Sequence, residues 1–227
     1  MRKNTPTTMH TLDQFLCRLL LWAKSQPLLY RFTLGTKILL ALGFIPTGAV
    51  KLMGLRFAPN LSTQSEAGSL FEILYQSTYY WAFLGLAQVL AGLLILWERS
   101  SALGAVLFAA IISNIFLITV SYEFSYTWVV SLSMLLAAFW LIFWEWARIR
   151  PLFFAQAPAT LHLPQVQLSG IWEKGIYATG LVAGLVFCSI LRGLVVPMPV
   201  VYVSLLLCLL ALLLSLAFGI RYRKRLT

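Results

Sequence analysis

An all-α integral membrane protein is the fold class that the sequence predicts, and three observations carry the prediction. Hydrophobic residues make up 60% of the 227 positions and charged ones only 11%, with a mean hydropathy of +0.86, a balance that a water-soluble domain of this size does not sustain. Several apolar runs reach the ~20 residues that a helix needs to cross a hydrocarbon layer of ~30 Å. The basic residues, 17 Lys and Arg against 7 Asp and Glu for a net charge of +10, gather in short segments beside those runs. Topology accounts for them without a nucleic-acid partner. The spans are helical, because an open sheet edge would leave backbone groups unsatisfied in lipid.

Six spans are expected, at about 32–53, 79–97, 102–121, 127–146, 175–192 and 197–219. Before them, residues 11–25 place Leu12, Phe15, Leu16, Leu19 and Ala23 on one helical face, with Gln14 and Arg18 opposite. This pattern fits an amphipathic helix lying in the membrane interface and ending before Pro27, or a docking helix for a partner. The first span carries Pro46, which is expected to kink it. Gly35, Gly43, Gly48 and Gly54, with Gly85, Gly92 and Gly104 in the following spans, offer surfaces for close helix approach.

Between spans one and two, the loop 54–78 mixes polar and apolar residues, and S-L-F-E-I-L-Y-Q within it reads as a short amphipathic helix over the bundle mouth. The segment after span four holds Pro151, Pro158 and Pro164 and reads as a linker. The chain thus divides into an N-terminal tail and amphipathic helix (1–30), a four-helix core (31–146), a linker (147–174) and a two-helix appendage with a basic tail (175–227). Arg2, Lys3, Arg18, Lys24, Arg31, Arg99, Arg148, Arg150, Lys174 and the run Arg221 to Arg225 all fall on one side of a six-span chain. Lys51, Arg56, Glu66, Glu72, Glu123 and Arg192 fall on the other, so both termini are expected in the cytoplasm of a cell with the core in its inner membrane.

Polar residues placed deep in the core are the candidates for function. Lys51 closes span one, Gln88 lies near the middle of span two, Asn114 lies in span three and Glu123 follows it. Such groups are expensive in hydrocarbon and turn toward a bundle interior or cavity. Together with Glu72 from the loop they would line a polar cavity; alternatively Gln88 and Asn114 are hydrogen-bonding glue worth ~1 kcal/mol, while Lys51 and Glu123 reach for the interface. Lys37, six residues past Arg31, reads as a side chain reaching the basic surface rather than a Schiff-base lysine.

Several chemistries find no residues to support them. His10 and His162 lie outside the spans, so no imidazole pair ligates haem and no His/Cys cluster holds a metal. Cys17, Cys188 and Cys208 have no metal-site spacing and read as small apolar fillers. Nucleophile elbow, phosphate-binding loop, voltage-sensing ladder and filter-like loop are all missing from the sequence, and no cleavable signal is evident at the N-terminus.

The first span ends G-A-V-K-L-M-G, the second carries G-L-A-Q-V-L-A-G-L-L-I-L-W-E-R and the third L-G-A-V-L-F-A-A-I-I-S-N. With these, residues 31–146 resemble the DoxX-like family of small four-helix membrane proteins. Gly48 and Lys51 match that family's Gly-x-x-Lys element, and Gly85, Gln88 and Gly92 match its Gly-x-x-Gln and following Gly. The resemblance implies a four-helix bundle. It also implies a role in thiosulfate:quinone oxidoreduction or membrane redox complexes, or, as in similar eukaryotic proteins, in cargo reception or receptor assembly. Spans five and six and the N-terminal helix depart from that plan and point to a protein partner or a homo-oligomer. The expected function is an accessory or redox-associated subunit that binds a small lipophile such as a quinone or lipid through Lys51, Gln88, Asn114, Glu123 and Glu72. A structural or assembly protein with no small ligand is the alternative, and a channel or transporter a further one.

Overall fold

A computed structural model describes residues 8–57, 65–122, 127–153 and 170–191, with separate positions between 203 and 217. Those residues form helices and turns. In chain order the helices are α1 (Thr8–Ser25), α2 (Pro27–Leu52), α3 (Glu66–Gln76), α4 (Tyr79–Leu96), α5 (Ser101–Ser121), α6 (Thr127–Trp144), α7 (Trp146–Ile149), a 3-10 turn (Arg150–Leu152) and α8 (Ile171–Leu191). Four of them, α2, α4, α5 and α6, are long and apolar enough to cross a membrane, which marks a membrane protein. They coincide closely with the first four expected spans. Span five corresponds to the helix α8, and span six lies almost wholly outside the described residues.

Local chemistry sets the helix ends. Gln26 is extended and Pro27 occupies the first turn of α2, where its missing N–H costs nothing and its fixed φ suits a helix start; α1 and α2 are separated at this point. At the far end of α2, Gly54 takes φ +66°, its N–H bonds to the Lys51 carbonyl at 3.1 Å, and the Leu55 N–H bonds to that of Val50 at 3.0 Å. This pair of bonds is a Schellman closure, and it requires a residue without a Cβ at position 54. Ser65 caps α3 by accepting the Gly68 N–H at 3.1 Å, which bears out the short helix expected in the loop.

The core forms where α2, α4, α5 and α6 close into a ring, each packed on its two neighbours, with α8 lying against α2 outside it. Leu40 and Phe44 of α2, Ala91 and Ile95 of α4, Ala105, Phe108 and Ile112 of α5, and Ala138 and Leu141 of α6 fill the centre. Phe44 and Phe108 stack with ring centroids 3.7 Å apart. The tightest seam joins α2 to α4: a Cβ added to Gly48 would meet the Gly85 carbonyl oxygen at 2.6 Å, and one added to Gly85 would meet that of Gly48 at 2.7 Å. Gly43, Gly92 and Gly104 also face close neighbours, whereas Gly35 and Gly54 have none within 4 Å. For those two the expected packing role is wrong, and at Gly54 the backbone conformation is the reason for the residue.

Two helices carry further detail. In α2 the helix runs on through Pro46 to Leu52, and the next hydroxyl, Thr47 Oγ1, lies 2.8 Å from the Gly43 carbonyl and 2.9 Å from that of Phe44. In α1 the apolar arc is split: Leu20 and Ala23 pack inward together with Asp13, while Phe15, Leu19 and Trp22 are left uncovered. The inward face is chosen by an ion pair rather than by hydrophobicity, because Asp13 meets Arg150, with Nη2 2.7 Å from Oδ2. The opening of the expected linker is therefore docked structure, and 154–169 lie outside the described residues.

Candidate functional site

Lys51 lies in the last turn of α2 and Gln88 halfway along α4, and the glycine seam brings their helices close enough for the side chains to meet. Gly48 stands one turn before Lys51, and Gly85 one turn before Gln88; each lets the other's backbone approach. The Lys51 Nζ donates to Gln88 Oε1 at 2.9 Å and reaches the Thr47 carbonyl at 3.3 Å. Lys51 is 4% exposed and Gln88 3%, so the ammonium turns into the protein and not toward headgroups.

Aromatic faces complete its surroundings. The ammonium lies 4.5 Å from the ring centroid of Phe57 and 5.1 Å from that of Trp81, within the range where a ring's negative face attracts a cation. Trp81 is itself fixed by donating its indole N–H to the Leu55 carbonyl at 3.1 Å and by an edge contact with Tyr75 of α3. Phe57 packs against Phe71 of α3. Phe57 from the loop and Trp81 from α4 thereby wall the ammonium with rings, and α3 backs both. Neither ring was among the residues expected from sequence, although an aromatic-rich loop ending at a membrane span was the available signal.

The remaining expected residues do not all converge there. Glu72 pairs with Arg56 at 2.8 Å, and Arg56 lies 5.2 Å over the Tyr75 ring, so this carboxylate braces α3 against the loop that carries Phe57. Asn114 is exposed on the outer surface of α5 and faces away from Lys51 and Gln88, so the expected single cavity with Asn114 as a member is not what forms. The reason is that α5 is apolar all round, and no polar stripe phases it about its axis. Glu123 lies outside the described residues.

A second concentration of buried charge, at the opposite end of the bundle, was not anticipated. Arg31 grips Glu173 through two bonds, Nε to Oε1 at 2.6 Å and Nη2 to Oε2 at 3.3 Å, with side chains 3% and 0% exposed. Lys37 meets Glu145 at 3.1 Å instead of reaching out alone, and Arg148 takes the other Glu145 oxygen at 3.1 Å while also donating to the Glu98 carbonyl in the turn after α4. Asp13 accepts from Arg150 Nε at 2.9 Å and from the Trp146 indole at 3.4 Å. Nearby, burial lowers the pKa of Lys24 and its ammonium lies over the Trp144 ring at 5.3 Å. Charge-assisted pairs of this kind connect remote segments: α8 to α2, α6 to α2, and α1 to the turn that follows α7.

In comparisons with protein-family models, curated proteins and solved structures, nothing matches this chain.

Proposed function

We propose that this protein is a DoxX-like accessory subunit of a membrane redox assembly, and that its Lys51 end binds a small lipophile bearing a carbonyl or anionic oxygen, such as a quinone or a lipid. One observation supports the reading above others: a buried ammonium held against Gln88 Oε1 at 2.9 Å and faced by Phe57 and Trp81. A cation kept at membrane depth is costly and tends to mark a functional site. Here the cation is steered by a neutral amide that both donates and accepts, beside flat rings suited to a conjugated or acyl ligand. The ligand's oxygen engages Lys51, the Gln88 amide group orients it, and the rings pack on its apolar body in a low dielectric that strengthens each polar contact. Glu72 and Arg56 hold α3 as the wall of the site. In this reading the basic end faces the cytoplasm and Lys51 lies toward the opposite surface of the inner membrane.

An assembly role without any small ligand is favoured by a different observation, the anchoring of α1 and α8 to the bundle by buried ion pairs. Mass spectrometry of an organic extract from purified full-length protein separates the two. The ligand reading expects a quinone or lipid near one equivalent, depleted several-fold by Lys51→Met and also by Phe57→Ala, which alters the wall of the site and leaves the Lys51–Gln88 contact in place. Wild-type protein that retains no lipophile, or retention equal in all three proteins, overturns it and leaves the assembly role.

A further inference from the structure

Asn114 is the polar residue of the core whose position the Lys51 site does not use. It lies less than one turn past the midpoint of α5 at Ile111, roughly 4–5 Å along the axis, and is thus deep within the hydrocarbon if α5 spans it. Its side chain is exposed on the outer surface, and the hydrogen bonds among the described residues leave its amide without a partner. Asn is too short to reach an interface as Lys and Arg do, and an unsatisfied amide in lipid costs free energy that a bond across helices recovers.

The surroundings of Asn114 form a seam. Leu103, Val106, Leu117 and Val120 are exposed on α5, and Ala110, one turn before Asn114, is exposed with them. The spacing of 103, 106, 110, 114 and 117 is the three-and-four alternation of one helix-packing face. The face carries no charge, so two chains with a net charge of +10 each meet there without opposing ionised groups. Ala110 is small enough to let backbones approach.

We infer that α5 pairs with α5 of a second copy of this chain, with Asn114 hydrogen-bonded to its own counterpart across a twofold axis. The self-complementary chemistry of the amide selects that occupant. One side chain carries both a carbonyl acceptor and an NH2 donor, so two copies about a twofold satisfy each other reciprocally, which a single donor or acceptor group on some other partner does only by half. This inference stands independently of any ligand at Lys51.

The test uses the full chain in liposomes, with Cys17, Cys188 and Cys208 changed to Ser and Leu117→Cys introduced for oxidative crosslinking at decreasing protein-to-lipid ratio. A disulfide-linked dimer should form. Asn114→Leu should raise the protein-to-lipid ratio at half-dimerisation about tenfold, as expected for two lost interhelical bonds, and Asn114→Gln should restore most of it. Because Asn114 has no hydrogen bond among the described residues, the thermal midpoint of the diluted monomer should not fall in the Leu variant; a fall would overturn the inference by revealing an intrachain role. Monomer at every ratio, a dimer indifferent to Asn114→Leu, or equal crosslinking from Val129→Cys on the exposed face of α6 would each overturn it as well.

Discussion

At the end of the bundle where α2 begins, acids and bases are paired: Arg31 with Glu173, Lys37 and Arg148 with Glu145, Asp13 with Arg150. At the end where α2 finishes, the described neighbours of the Lys51 ammonium are an amide oxygen, a backbone carbonyl and two ring faces. The first arrangement joins pieces of chain. Its partners are 142, 108 and 137 positions apart, and each pair attaches an element to α2 or docks α1 against the segment after α7. The second brings α2 against α4, which the glycine seam already holds together, and against the Phe57 ring of the loop. The first end staples remote segments through ion pairs, and the second seats a cation within a helix seam; the two ends differ in construction.

The sharpest way to break that contrast is to wedge the seam itself. Gly85→Leu introduces a Cβ that would lie 2.7 Å from the Gly48 carbonyl oxygen and 2.8 Å from Lys51 Cβ. Backbone on one side and a helix-fixed Cβ on the other cannot move aside as a flexible side chain does. The expected cost is on the order of 4 kcal/mol or more, at the extreme of single-substitution effects. It should appear as loss of folded protein in detergent unfolding curves and as loss of Lys51 protection. A stable variant with an unchanged transition would mean that the seam does not position Lys51.

The ionic end should respond more moderately and reversibly. Arg31→Met leaves the Glu173 carboxylate buried beside an apolar side chain, a loss of about 3 kcal/mol by analogy with broken buried pairs. Since Glu173 opens α8, the first consequence should be release of that helix, read as faster proteolysis after residue 153. The double variant Arg31→Met, Glu173→Leu removes both charges and should recover most of the stability, because a desolvated ion pair and an apolar pair of similar volume are close in free energy. If the double variant is as weak as the single one, the pair contributes more than neutralisation and the staple description fails.

The same contrast shows what could be read from sequence. Span limits were legible because the length of an apolar run is a one-dimensional property, and α3 was legible from its amphipathic spacing. Lys51 and Gln88 were legible as polar groups at depth. What sequence lacks is the rotation of one helix against another. Gln88 turned inward because Gly85 and Gly92 on the same face define a seam, whereas α5, uniform around its circumference, offered nothing to place Asn114, and it points outward. The ion pairs were hidden for a similar reason: no local pattern around Asp13, with Arg18 and Lys24 nearby on the same helix, selects Arg150 as its partner.

The smallest expected effect concerns how tightly that docked helix is held. Cys17 sits one turn after Asp13, with its thiol 3.7 Å from Oδ1. Burial first, and the neighbouring carboxylate second, push its pKa above the ordinary 9.0, against a smaller opposing influence of Arg150. A raised pKa means less thiolate at any given pH, and thiolate is the form that alkylates. With Cys188 and Cys208 changed to Ser, iodoacetamide should therefore label Cys17 several-fold more slowly at pH 8 than it labels an unstructured thiol, with the gap closing as pH rises past the folded value. The linkage has the same sign: a group whose folded pKa is raised stabilises the fold below its unfolded pKa and loses that contribution above the folded one. Denaturant should abolish the difference in rate. Labelling at the rate of a free thiol in native protein would place α1 away from Asp13's partner, and the basic end would then be held by Arg31 and Glu145 without the N-terminal helix.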